Sequence, residues 1–136
     1  MSALPDTAVM ATTFLEANHR AIWNVVSDPM RFVEIYPSWM ATVEPSGDME
    51  FWIAASKAGE YFNIYSSFDE PTGTADFELI DELGMSTFFR TRIMSLPTGG
   101  CVVVQLASRV PGGNDEDWQA RAAALPADLA DLARHI

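Results

Sequence analysis

The chain has one cysteine, two histidines and eight Lys and Arg residues against nineteen Asp and Glu. A single cysteine, Cys101, cannot form an intrachain disulfide, which suits a reducing compartment. It sits in the strand-like run "GGCVVVQLAS" with no basic neighbour in sequence to activate it, so it reads as a packing thiol. His19 and His135 each lack a second ligand at metal spacing, and no metal site or cofactor is expected. The net charge of −11 repels phosphate backbones and anionic headgroups, which argues against nucleic acid as a partner. No apolar run approaches the roughly 20 residues that span a bilayer, so membrane insertion is not expected. The opening "MSALPDTAVMATT" has no basic region followed by an apolar run, and a cytoplasmic location is the expectation. There is no "GxSxG", phosphate loop or dinucleotide fingerprint. Glu16 and Glu34 could serve as acid or base only if buried, and both fall at the edges of expected elements.

What is present is apolar and aromatic. The 136 residues are 49% hydrophobic and include 8 Phe, 4 Trp and 3 Tyr, ample for one packed core and one domain over 1–136. "TAVMATTFLEA" alternates and is β-branched, a first strand. Asn18 is placed to cap "HRAIWNVVS", whose Ile22, Val25 and Val26 share a helical face; Asp28 and Pro29 start a second short helix. From Trp39 onward come six strand-like segments, the later ones separated by "SKAG", "EPTG", "DELG" and "PTGG". Each of these is a four-residue turn ending in Gly, so the segments form a meander of antiparallel hairpins. Asn114 then caps a helix whose Trp118, Ala122, Leu125, Leu129, Leu132 and Ile136 form one apolar stripe. Pro126 should kink or break that helix near Leu125.

Strand register assigns faces. Pairing across "DELG" with Asp76 opposite Arg92 and Glu78 opposite Arg90 makes an outer charge ladder and an inner wall of Ala75, Phe77 and Leu79. A β-bulge reversing this alternation would instead aim Arg92 inward to bind a carbonyl or carboxylate, with Asp76 orienting it. Across "PTGG", Val102, Val104 and Leu106 are expected inside; across "EPTG", Phe68, Ser66 and Ile64. Phe51 and Ile53 are expected inside as well, which leaves Trp52, Tyr61, Asn63 and Tyr65 as an outer patch and a candidate homodimer contact.

The stretch "ANHRAIWNVVSDPMRFVEIYPSW" resembles the opening of the START superfamily, also called SRPBCC. "GTADFEL", "TRIMSLPTGGCVVVQLASRVPGGNDEDW" and "ADLADLARHI" are similar to the closing hairpins and last helix of its bacterial polyketide cyclase/dehydrase-like subgroup. The resemblance implies an α+β helix-grip fold: a curved antiparallel seven-stranded sheet, two short helices after strand 1, and a long C-terminal helix packed over the sheet. It also implies a cavity between sheet and last helix. Relatives often have a His where Phe77 stands and an Arg corresponding to Arg92, so here only the Arg matches.

On that frame the candidate lining for a small hydrophobic molecule, aromatic, lipid or polyketide-like, is Phe32, Tyr36 and Trp39 near the entrance helices. Phe62, Ile64, Phe77, Phe89, Ile93 and Val104 would add the sheet's wall, and Trp118, Leu125 and Leu129 the helix's. One alternative is a cyclase or dehydratase in which Arg92 polarises a carbonyl and Tyr36 donates a proton. Another is a protein-interaction domain using Trp52, Tyr61 and Tyr65.

Overall fold

The computed structural model describes residues 4–48, 50–109 and 115–136. Strand β1 (Ala8–Leu15) leads into α1 (His19–Val26), where the Asn18 side chain accepts a hydrogen bond from the Ala21 N–H and Ile22, Trp23, Val25 and Val26 are buried. A 3₁₀ turn (Pro29–Arg31), capped by the Asp28 carboxylate on Met30 N–H, runs into the one-turn α2 (Phe32–Ile35). Six strands follow: β2 (Met40–Pro45), β3 (Trp52–Ser56), β4 (Tyr61–Asp69), β5 (Thr74–Asp81), β6 (Ser86–Ser95) and β7 (Cys101–Arg109). Helix α3 (Asp115–Ala130) and a 3₁₀ turn (Asp131–His135) close the chain. The expected Asn114 cap lies outside the described residues.

All seven strands pair antiparallel in one open sheet of order β1-β7-β6-β5-β4-β3-β2, the expected α+β arrangement. The turns end as their glycines require, with Gly59, Gly73, Gly84 and Gly100 all at positive φ. Gly73 is the most constrained, because a Cβ there would sit 2.3 Å from the Ile93 carbonyl oxygen and 3.0 Å from His19 Nε2. That close approach lets the β4–β5 turn hydrogen-bond to β6 through Ile93 N–H and Gly73 O, 2.9 Å.

Helix α3 runs over one face of the sheet and buries Trp118, Leu125 and Leu129, and Leu132 continues the stripe in the turn that follows. Trp118 Nε1–H donates to Asp6 O at 2.9 Å, which ties the helix to the chain entering β1. At the other end Arg31 donates to His135 O at 3.0 Å. One expectation for this helix fails, and of the kink or break expected near Leu125 the break does not form. Ile136 is 43% exposed rather than part of the stripe, and the helix continues unbroken through Pro126. Pro126 is exposed, so water can take the carbonyl that its missing N–H leaves unpaired.

The registers correct four sequence expectations. Across the β5–β6 turn Asp76 faces Arg90 and Phe77 faces Phe89, two residues from the expected pairing. An even offset keeps the faces: Ala75, Phe77, Leu79, Phe89, Thr91 and Ile93 are buried, and the charged residues lie on the opposite side. Asp76 therefore takes both arginines, Arg92 at 2.6 Å and Arg90 at 3.3 Å, while Glu78 accepts from Ser86 Oγ at 2.7 Å. Across the β6–β7 turn the offset is odd. Ile93 faces Val103 and Thr91 faces Gln105, so Cys101, Val103, Gln105 and Ala107 point inward and Val102, Val104 and Leu106 outward. Odd offset also governs β3, where Trp52 pairs with core Ile64 and packs on the core, and Ile53 pairs with exposed Asn63. Phe51 stacks on exposed Tyr65 with ring centroids 5.4 Å apart, not inside as expected. The pairing across "EPTG", with Phe68, Ser66 and Ile64 beside Ala75, Phe77 and Leu79, forms as expected.

Candidate functional site

The interior between sheet and helices is built from edge-to-face and tilted rings. Phe68 packs on Phe77, Phe77 on Phe32, Phe32 on Tyr36, Tyr36 on Phe89 and Phe89 on Trp39, with centroids 4.7 to 5.7 Å apart. Such pairs contribute about 0.5–1.5 kcal/mol each beyond the area they bury. They also occupy the space that a large ligand would need. What remains is a cleft of about 20 Å³ between α3 and the sheet, room for one water-sized molecule.

Its walls are Val9 and Ala107 from β1 and β7, Phe89 from β6, Tyr36 and Trp39 from the segment after α2, and Trp118, Ala122 and Leu125 from α3. At its mouth stand Ser38, Arg121 and Asp128. Ser38 Oγ donates to Asp128 at 3.1 Å, Arg121 donates to Ser38 O at 3.3 Å, and the Arg121 guanidinium lies 5.7 Å from the Trp39 ring centre. Partial burial, opposed by the Ser38 hydrogen bonds, pushes the Asp128 carboxyl above its ordinary range.

Beneath the cleft lies a polar network that the sequence reading missed. Gln105 is fully buried, and its Nε2 donates to the Tyr36 hydroxyl and to Thr91 Oγ1, the latter at 3.1 Å. Its Oε1 has no hydrogen-bond partner among the described residues. Burial pushes the Tyr36 phenol up to about 12, so at neutral pH it is a hydrogen-bond donor and not a base. Three polar side chains from three elements thus meet inside an otherwise apolar core. The signal that would have found them is the one-residue register of β7, since Gln105 and Val104 exchange faces with it.

Of the candidate lining residues, Tyr36, Trp39, Phe89, Trp118 and Leu125 come together at the cleft. Phe32, Phe62, Ile64, Phe77, Ile93 and Leu129 are buried in the same core without bordering it. Val104 lies on the other face of the sheet, where it pairs with Arg92 and Thr12. Arg92 and Asp76 are on that outer face too, so the inward-pointing Arg92 does not occur and Tyr36 and Arg92 do not share a site.

No protein-family model matches the sequence, and no curated protein matches it. Solved structures do. A START superfamily protein from Mycobacterium smegmatis matches with a TM-score of 0.65 at 12% identity, covering 94% of both chains. The two share a fold, an antiparallel seven-stranded sheet with a long C-terminal helix over it. The Zhui aromatase/cyclase from Streptomyces sp. R1128 matches with a TM-score of 0.66 at 15% identity, again over 94% of both. A truncated norcoclaurine synthase from Thalictrum flavum matches at 0.62 and 15%, over 92% of this chain and 91% of that one. Identities this low speak for the fold. Among the described residues no helix is long and apolar enough to cross a membrane, and no cluster of three His, Cys, Asp or Glu could hold a metal.

Proposed function

We propose that this START-type chain binds a small hydrophobic molecule, aromatic or polyketide-like, in the cleft between α3 and the sheet. The observation that carries the reading is the buried Tyr36–Gln105–Thr91 network beneath an apolar cleft. An apolar wall with few, fixed polar groups is what orients such ligands. Because Gln105 donates to the Tyr36 oxygen, the phenol's own proton is available to a ligand carbonyl or ether oxygen. Ser38, Arg121 and Asp128 would meet any polar end left at the mouth. The similarity to an aromatase/cyclase and a norcoclaurine synthase supports a small-molecule role. A cytoplasmic location belongs to the same reading, supported by the unpaired, buried Cys101.

With about 20 Å³ open, a ligand larger than water enters only when Trp39 or α3 moves aside. Trp39 is the natural gate, since it follows α2, stacks on Phe89 and is covered by Arg121. Reaction chemistry that uses Arg92 together with Tyr36 is not supported, because the two lie on opposite faces of the sheet.

The direct test is mass spectrometry of the small molecule released on denaturing the freshly purified protein, beside an unrelated control. Trp39→Ala with indole as probe is the companion, because it opens the cleft artificially. A stoichiometric compound, or an indole-dependent rise in Tm in Trp39→Ala absent from wild type, supports the reading. No compound and no indole effect would sink it.

A further inference from the structure

Helix α3 carries Pro126 four residues after Ala122 and one after Leu125, and both of those line the cleft. Proline has no N–H for the Ala122 carbonyl, its ring crowds that carbonyl, and it disfavours the helical conformation that Leu125 holds. The helix ladder is therefore weakest at this point. The attachments of the helix divide there too. Before Pro126 lie Trp118, Arg121, Ala122 and Leu125, which wall the cleft. After it lie Leu129 and, in the closing turn, Leu132, 3% and 2% exposed, and His135, whose carbonyl accepts from Arg31. Ser38 is held from both sides of the proline: its carbonyl accepts from Arg121, and its hydroxyl donates to Asp128.

We infer that the part of α3 before Pro126 is a lid that pivots at the proline with Arg121 as its latch, an inference that rests for its use on the ligand reading of this cleft. When the lid lifts, Arg121 leaves the Ser38 carbonyl and the Trp39 ring, and Trp118 leaves the Asp6 carbonyl. Asp128, beyond the pivot, keeps Ser38 docked, so Trp39 loses its cover while the turn that carries it stays in place. The magnitude limits what enters. Trp118 lies eight residues from Pro126, about 12 Å along the helix axis. A tilt of about 20°, the size at which proline kinks become sharp, moves Trp118 by about 4 Å and Ala122 by about 2 Å. Carbon atoms in contact stand about 3.5–4.0 Å apart, so this opening admits one flat ring edge on and turns away a bulky saturated skeleton. Within the hydrophobic class, the lid selects flat aromatic molecules.

The experiment is amide hydrogen exchange of the intact chain, read residue by residue by NMR, and it needs no ligand. The amides of residues 119–125 should exchange as a block with one common opening constant, at least about 10-fold faster than those of β6, which open only with the whole fold. Pro126→Ala, at an exposed position, restores the missing helix hydrogen bond and should slow the block at least about 10-fold, leaving residues 130–133 unchanged. Arg121→Ala should speed the block about 2–10-fold by removing the latch. Exchange that grades inward from the helix start as simple fraying does, a block that ignores Pro126→Ala, or residues 130–133 shifting with it overturns the inference. A chain that exchanges as this block yet gains no stability from indole in the Trp39→Ala variant upholds the pivot and sinks only the binding reading.

Discussion

Replacing Gln105 with Met tests whether the buried polar network is kept for stability or for recognition. Met preserves the length and nearly the volume of the side chain, so no cavity term of the kind that costs about 2–5 kcal/mol in large-to-Ala changes should arise. The change removes two hydrogen bonds, to Tyr36 and Thr91, worth about 0.5–1.5 kcal/mol each. It also removes the unpartnered Oε1, whose burial costs about 1–3 kcal/mol. These terms nearly cancel, but the buried Tyr36 and Thr91 hydroxyls lose their partner, so Gln105→Met should cost about 1–3 kcal/mol, or about 3–5 °C in Tm for each kcal/mol in a chain of this size. The double variant Tyr36→Phe/Gln105→Met, in which two of the three polar groups are gone, should be no less stable than Gln105→Met alone. Urea unfolding with an unchanged m-value measures all of this. A loss above about 3 kcal/mol in Gln105→Met, with Tyr36→Phe adding its full separate cost, would refute the reasoning and make the network a structural keystone. A double variant close to wild type would mean that the core carries this pair of polar groups at no gain in stability, which favours ligand recognition as their use.

Tyr36 makes stability depend on high pH. Its folded value of about 12 lies above the unfolded 10.0, so the contribution is complete below pH 10 and is lost as pH rises toward 12, by about 2–3 kcal/mol in all. Tyr36→Phe should remove that loss, visible as a smaller fall in Tm between pH 9 and 11. Asp128 has a raised folded pKa caused first by burial, so its ionisation destabilises the fold as pH rises above the ordinary value of 3.8. Asp128→Asn keeps an acceptor for Ser38 and should raise Tm at neutral pH, with the gain vanishing well below 3.8. Arg92→Ala should change stability by no more than about 1 kcal/mol, since the pair with Asp76 is 40% exposed on the arginine side, and should leave ligand affinity unchanged. A large loss of affinity would return Arg92 to the site.

The fold was legible because its signals are local. Asn18 and Asp28 cap helices where expected, and glycines at four turn ends set the hairpins, so element order and antiparallel topology follow from short stretches. Faces were legible only where polarity alternates. "TADFELID" alternates cleanly, and its inner set is buried even though the pairing is two residues from the expected one. "CVVVQLAS" and "EFWIAA" do not alternate, because both sides of those strands are apolar, and there hydrophobicity cannot choose a phase. Turn geometry chooses instead, and it turns Gln105 inward and Val104 outward. Five lining residues of the cleft were legible, but the polar network beneath it was missed for that reason, since Gln105 is the residue a hydrophobic count sends to solvent.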